Sequence, residues 1–523
     1  MKTLTAVITT AAVLVAVSCR MPEKTSESDI IPQPNECEFD GRLCDISRLE
    51  GISAEKGLEN ECKMLQEALE GAGLDKKKIV RRGDIRLKID SGLKNDEAYR
   101  LKVEPGRITV NGGAPQGVFY GIVSLMQEMN AGGVKCGVIQ DSPRFDWRGL
   151  MLDEARHFFG EEKVRQILDL MAYYKLNKFH WHLTDAQGWR LEIRKYPLLT
   201  EVGSIGTHSD RNAPAQFYTQ EQVRQIVKYA EARHIEIIPE IDMPGHATAA
   251  VRAYPQFNGG GSKDNPDFTF NVGKEETRAF LSDILKEVAG LFPGRYIHIG
   301  GDEVAFGSEA WNTNADIQEL IRREGLDGLK GAEGYFMNSM ADSVKVTGKE
   351  VFGWDDMLEY ELTRDKCRIM WWRHDKPEQL QKALDKGFDV VLCPRKPLYL
   401  DFIQHGSHKF GRTWAGFCPI EDIYAFPDSL SAAAGHLHGS KQVLGIQANV
   451  WTETMQYSKR LDFMLFPRIC ALAESAWTEP ECKNFSDFSR RLEYSYRLFD
   501  KEGIYYFDTR DPQGHPEPDG PQM

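Results

Sequence analysis

The chain has 523 residues, 41% of them hydrophobic and 27% charged, with a formal charge of −13. That balance excludes wholesale disorder, and the length allows one large domain with a smaller companion. A net negative charge gives no electrostatic reason to expect nucleic acid or an anionic membrane surface as partner, whereas a neutral glycan or small molecule is compatible with it.

Residues 1–18 open with Met1-Lys2 and run apolar from Leu4 to Val17. This stretch is too short for a comfortable membrane span and reads as an export signal. Cys19 directly follows small residues, as in the lipobox of bacterial lipoproteins. That predicts lipidation at Cys19 and an exported protein anchored facing the periplasm or the cell surface. Ordinary signal cleavage without lipid is the alternative. Residues 19–36 are polar with three prolines and read as a tether. The ten cysteines form no C-x-x-C pair. Cys37 and Cys44 are open to a local disulfide, while Cys367, Cys393 and Cys470 lie in apolar runs and read as buried small hydrophobes.

Residues 37–141 form a small α+β domain on this reading. Asp84–Asp90, Tyr99–Glu104 and Arg107–Asn111 alternate apolar and polar residues as half-buried strands do. Pro115–Met129 then carries Val118, Ile122, Leu125 and Met129 at helical spacing. Between 145 and 500, short apolar runs end in polar or aromatic residues, and helical patterns such as Lys163–Tyr174 and Gln220–Arg233 separate several of them. The runs are Arg148–Asp153, Lys178–Asp185, Ile235–Asp242, Tyr296–Glu303, Glu350–Asp355, Arg368–Arg373, Phe388–Pro394 and Val443–Glu453. Eight such runs predict an α/β fold, a closed (β/α)8 TIM barrel, with an open doubly wound sheet as the rival. Segments 203–217 and 254–271 read as inserted loops, and 501–523 as a polar tail.

A barrel of this kind presents its chemistry at the C-terminal ends of its strands. Those ends hold Asp153, Asp185, Asp242, Asp302, Glu303, Asp355 and Glu453, with Trp354, Trp371, Trp372 and Trp451 among them. One Asp at a strand end is commonly a cap. Seven carboxylates interleaved with indoles, without a phosphate-cradling glycine loop, suit a carbohydrate. Indole faces stack on sugar C–H faces, and carboxylates accept from hydroxyls.

The sharpest motif is His298-Ile299-Gly300-Gly301-Asp302-Glu303. With Asp153-Glu154-Ala155-Arg156-His157-Phe158, Trp181-His182-Leu183-Thr184-Asp185, Pro239–His246, Gly353-Trp354-Asp355, Trp451-Thr452-Glu453 and Phe466-Pro467-Arg468, it resembles glycoside hydrolase family 20, the β-N-acetylhexosaminidases. The resemblance spans about 98 to 500. It implies an exo-acting, retaining enzyme in which the substrate's 2-acetamido oxygen attacks the anomeric carbon, unlike the usual two-carboxylate glycosidase. Glu303 is then the acid/base, Asp302 grips the acetamido N–H, and Tyr399 donates to the acetamido oxygen. Arg156 forks onto the C3 and C4 hydroxyls, and Asp401 and Glu453 hold those of C4 and C6. Trp354, Trp372 and Trp451 wall the pocket, Trp371 facing the core instead. Asp185 and His246 form a support pair for Glu303, with a simple structural hydrogen bonder as the alternative for His246. Because neighbouring strand residues point opposite ways, the chain must twist at Gly300-Gly301 to aim both acids inward.

His180, His182 and His298 read as core or supporting hydrogen bonders. No third ligand completes a zinc site with His180 and His182, and the family needs no metal or other cofactor. The expected partner is a glycan with a terminal β-linked N-acetylhexosamine, and the membrane enters only through a lipid anchor. Lacto-N-biosidase-like release of a disaccharide and a non-catalytic glycan-binding lipoprotein are the alternatives.

Overall fold

Apolar–polar alternation in the first part of the chain builds a six-stranded sheet of order β1-β6-β4-β5-β3-β2. Its strands are β1 (Glu36–Cys44), β2 (Ile52–Ala54), β3 (Ile85–Ile89), β4 (Tyr99–Glu104), β5 (Arg107–Gly112) and β6 (Val134–Asp141). The computed structural model describes residues 25–430 and 441–521. The expected export signal and Cys19 lie outside the described residues. Helices Glu59–Gly71 and Pro115–Asn130 pack on the buried face of this sheet, and the alternate residues of β4 are exposed. The sequence pattern misses β1 and β6, since β1 carries an irregularity between Phe39 and Leu43 and Gly137 interrupts the alternation of β6. Cys37 and Cys44 sit near opposite ends of β1 and are both free thiols.

The barrel follows. Its strands are β7 (Trp147–Asp153), β8 (Lys178–His182), β9 (Glu236–Met243), β12 (Tyr296–Gly300), β13 (Glu350–Trp354), β14 (Arg368–Trp371), β15 (Val390–Leu392) and β16 (Val443–Val450). A small hairpin of β10 (Asn258–Gly260) and β11 (Thr269–Phe270) folds within the loop after β9. All eight barrel strands pair in parallel, and β16 closes on β7 from Gly445↔Trp147 to Val450↔Leu152. Closure removes the open-sheet rival. The interior is layered. Trp147, Tyr296 and Phe352 fill the bottom, with Trp147 and Phe352 centroids 4.9 Å apart. Above them lies a polar layer of His180, Glu240, His298, Gln447 and Asn449, all buried, where a barrel usually carries branched aliphatics. The functional end sits on that layer.

Buried polar contacts join the two domains. Arg148 of β7 forks onto Glu97 of the small domain at 2.8 and 2.9 Å, and Trp477 Nε1 donates to Asp141 at 2.9 Å. The segment expected as a tether is, from Ser28 onward, a packed strap. Ile30 and Ile31 are buried, the Ile31 N–H donates to Gln127 Oε1 at 2.8 Å, and the Gln33 N–H donates to Glu474 at 3.0 Å. Two isoleucines are too few to show a period, so their burial was invisible in sequence. The expected polar tail is likewise folded back. Ile504, Tyr506 and Phe507 are buried, and Glu517 pairs with Arg460 at 2.8 Å.

Candidate functional site

The path into the site begins at the glycines after β12. Gly300 and Gly301 take φ of +68° and +93°, and the β9–β12 register slips between His298 and Gly300. A Cβ on Gly300 would stand 1.7 Å from Asp242 Oδ1, so only glycine fits there. The kink delivers Asp302 and Glu303 together into one pocket of about 330 Å³ at the C-terminal end of the barrel. Glu303 and His246 themselves hold left-handed φ, +52° and +53°, and face each other with Nε2 3.5 Å from Oε2. Strained non-glycine backbone of this kind persists only where the surroundings impose it.

The pocket is lined by Trp354, Trp372, Trp451 and Tyr399 as well as Arg156, His246, Asp302, Glu303 and Glu453. Trp372 and Tyr399 have nearly parallel rings with centroids 6.3 Å apart. Trp372 Nε1 donates to Asp356 at 2.8 Å, while Trp371 is buried in the core. The guanidinium of Arg156 lies 4.9 Å over the Trp451 ring. It contacts Asp185 at 2.8 Å and Asp153 at 3.3 Å, and its Nε has no partner. Asp185 does not face the sugar space. It receives Arg156, His182 Nε2 at 2.9 Å and His246 Nδ1 at 3.1 Å. Asp355 is used structurally too, accepting from the Trp372 N–H and from Arg373. Asp401 and Glu453 lie close together, bridged by a residue the sequence did not reveal. Arg412 contacts Asp401 through Nε and Glu453 Oε1 at 2.8 Å. Asp401 Oδ1 and Glu453 Oε2 remain unpartnered. Phe306 and Trp414, also unforeseen, stand exposed in the pocket's lining. Arg412 and Trp414 lie in a loop and Phe306 ends a single 3-10 turn, Val304–Phe306, stretches too irregular for composition to signal a facing partner.

The electrostatics divide the acids. Burial, with Glu303 and Asp356 nearby, pushes the Asp302 carboxyl up against the pull of His246. Burial also works to raise Glu303, but the His246 hydrogen bond and the charges of His246 and Arg156 outweigh it and lower the group. Asp185 resists its burial through Arg156 and His246 and is held well below the ordinary range. His246, despite burial, is raised well above it by Asp185 and Glu303. Metal-ligand types converge at His180/Glu240/His298, at His182/Asp185/Asp242 and at Asp242/His246/Asp302, each within 4.8 Å. In the first two clusters, imidazole and carboxylate already answer each other as hydrogen-bond partners. A larger cleft of about 880 Å³ lies between the small domain and the barrel. Its Asp169 is occupied by Arg233 and Tyr229, so the converging free acids belong to the barrel mouth.

Comparison with known proteins identifies the family of the fold that carries this pocket. A family model described as glycosyl hydrolase family 20, catalytic domain, matches residues 145–480, and its domain 2 matches residues 27–142. A beta-hexosaminidase of Porphyromonas gingivalis is 38% identical over 81% of this chain and 56% of its own length. The chain thus spans just over half of that relative. A beta-N-acetylhexosaminidase of Cellulomonas fimi is 34% identical, covering 80% of this chain and 82% of its own. The crystal structure of an exo beta-N-acetylglucosaminidase from Vibrio harveyi, in complex with N-acetylglucosamine, superposes with a TM-score of 0.83 at 31% identity, over 93% of this chain and 80% of that one.

Proposed function

The chain belongs to glycosyl hydrolase family 20, and from that premise we propose that it is an exo-β-N-acetylhexosaminidase removing terminal β-linked GlcNAc or GalNAc with retention. One observation carries the reading: Asp302 and Glu303 are turned side by side into an indole-walled pocket whose other lining carboxylate, Glu453, is engaged by Arg412, the acids at its rim being engaged by cations as well. Arg412 holds Asp401 and Glu453, and Arg156 with two histidines holds Asp185. Among the described residues this leaves no free carboxylate across the pocket to act as nucleophile, which supports attack by the substrate's own acetamido oxygen. Asp302 accepts the acetamido N–H and stabilises the oxazolinium charge, and Tyr399 donates to the acetamido oxygen. Glu303 protonates the leaving oxygen and then deprotonates the incoming water. Arg156 and the unpartnered oxygens of Asp401 and Glu453 receive the sugar hydroxyls. The bridge through Arg412 closes that side of the pocket and favours a single sugar over a disaccharide.

The test is hydrolysis of an aryl β-GlcNAc with product configuration followed by NMR. Retained β product and competitive inhibition by a thiazoline mimic of the intermediate are expected, the mimic binding far more tightly than GlcNAc. Inverted product or an isolable sugar–enzyme ester overturns the mechanism, and binding without turnover identifies a glycan-binding protein. A lipid on Cys19, anchoring the protein to a membrane facing the periplasm or the cell surface, is part of the same proposal and rests on the leader sequence. Mass analysis of membrane-extracted protein tests it, a native N-terminus elsewhere counting against it.

A further inference from the structure

Beneath the pocket lies a carboxylate that no step of this chemistry touches. Glu240 of β9 is fully buried, and four groups converge on its two oxygens. Oε2 accepts from His182 Nδ1 at 2.5 Å and lies 3.0 Å from His180 Nε2. Oε1 accepts from Trp354 Nε1 at 2.9 Å and lies 2.9 Å from His298 Nδ1. His182 is the informative partner, because its other nitrogen reaches Asp185 Oδ2 at 2.9 Å. A histidine between two ionised carboxylates donates from both nitrogens, which only the imidazolium can do. His180 differs. Its Nδ1 pairs with the amide of Gln447 at 3.0 Å, and burial lowers it to about 4.

From Asp185 the sequence of contacts continues through His246 Nδ1 at 3.1 Å, and His246 Nε2 then stands 3.5 Å from Glu303 and 3.6 Å from Asp302. Glu240, His182, Asp185, His246 and Glu303 therefore alternate in charge at every contact, and the first four are buried. Each member fixes the ring or carboxylate orientation of the next, as outer partners do for metal-bound histidines. Resting on the hydrolase reading above, we propose that Glu240 is a positioning residue for the acid–base step. It acts through His182 and Asp185 to keep His246 aimed at Glu303 and Asp302, and through Trp354 Nε1 to fix one wall of the pocket.

The groups facing Glu240 are His180 and His182 from β8, His298 from β12, Trp354 from β13 and its strand neighbour Asp242. Those facing Glu303 are His246, Arg156, Asp185 and Asp302. Removing the charge of Glu240 leaves the buried imidazolium of His182 in excess, which favours ionisation of the carboxyls above it. Glu303 then loses its proton at lower pH.

Glu240→Gln and His182→Gln test this in the full chain, the second leaving Glu240 and its other partners in place should the first fail to fold. The substrates are a β-1,4-linked GlcNAc disaccharide and an aryl β-GlcNAc with an acidic phenol. Wild-type turnover of either shows that the hydrolase reading stands; no wild-type turnover of both ends that reading separately. With it standing, kcat on the disaccharide is expected to fall about 30-fold or more in each variant, but only a few-fold on the aryl substrate, since a good leaving group needs little protonation. KM should change little, and the alkaline limb of kcat/KM should move to lower pH. Glu240→Gln added to His246→Gln should cost almost nothing further, because the two act along one line of contacts. Equal losses on both substrates with an unmoved pH profile, or fully additive losses with His246→Gln, overturn the proposal.

Discussion

In the acid role proposed for it, Glu303 meets two opposed demands. In the free pocket His246 and Arg156 outweigh burial and hold it low, whereas a general acid needs its proton near the working pH. Its side chain is 32% exposed, and a bound sugar covers that surface, removing the water that stabilises the anion. Since kcat/KM reports the free enzyme and kcat the complex, the alkaline limb of kcat should lie at higher pH than that of kcat/KM. Coincident limbs would show that the substrate does not retune the acid. Glu303→Gln should slow disaccharides by roughly 10²–10⁴-fold, and substrates with acidic aryl leaving groups less; equal losses would remove it from the acid role. Asp302 lies under the opposite pressure, raised by burial and like charges, and on the proposed mechanism the acetamido N–H would supply the donor that its unpartnered Oδ1 lacks. Asp302→Asn keeps the shape and removes the charge, so turnover of N-acetylated substrates should fall strongly while the fold survives, as circular dichroism would verify.

At the scale of elements, the loop carrying Tyr399, Asp401 and Arg412 has little regular structure of its own and is held from behind. Arg468, fully buried on helix Arg468–Trp477, donates to the carbonyls of Leu400 at 2.6 Å, Phe402 at 3.0 Å and Cys418 at 3.1 Å. The far C-terminus braces the same loop, since Glu517 accepts from the Lys409 N–H at 2.6 Å and from the Phe410 N–H at 3.0 Å. Arg468→Met retains bulk but leaves those carbonyls without donors, at about 1–3 kcal/mol for each buried group. A loss of about 3 kcal/mol or more in denaturant unfolding is expected, with KM raised in whatever protein remains folded. Unchanged stability would mean that water or another donor replaces the guanidinium.

At the scale of the molecule, two consequences follow from buried charge. Glu97 neutralises Arg148 across the domain junction, the guanidinium fully buried and the carboxylate 13% exposed. Glu97→Ala strands the guanidinium and should cost about 3–5 kcal/mol. The two domains should unfold in one transition, and two resolved transitions in calorimetry would show that the junction is weak. The second consequence is a pH slope. Asp185 and Glu240 are held well below the ordinary range by their cationic partners in spite of burial, so their stabilisation is complete above about pH 4 and is lost as pH falls through their folded values. Asp242 and Asp302 are raised by burial and by like charge, and His182 and His246 are raised by carboxylates against burial. Groups raised in the folded state withdraw stability as pH climbs. Thermal stability should therefore be higher at about pH 5 than at about pH 8, and the reverse order in a melting series would contradict these protonation states.

Local pattern alone determined the eight barrel strands, the core strands and helix of the small domain, and the acids at the strand ends, because period and strand-end position are properties of neighbouring residues. The Gly300-Gly301 pair was legible for the same reason, since a reversal of side-chain direction within four residues demands left-handed backbone. Only the tertiary structure decided that Arg412 bridges Asp401 and Glu453, that Asp185 also receives His182 and Arg156, and that residues 28–35 and 504–518 are packed against the rest of the fold. Most of those outcomes rest on charges and apolar side chains tens to hundreds of positions apart, from 29 for Arg156 and Asp185 to 441 for Gln33 and Glu474. Which of them meet is settled by closure of the barrel and by the cost of leaving a buried charge unpaired, and neither quantity is written in any short stretch of chain.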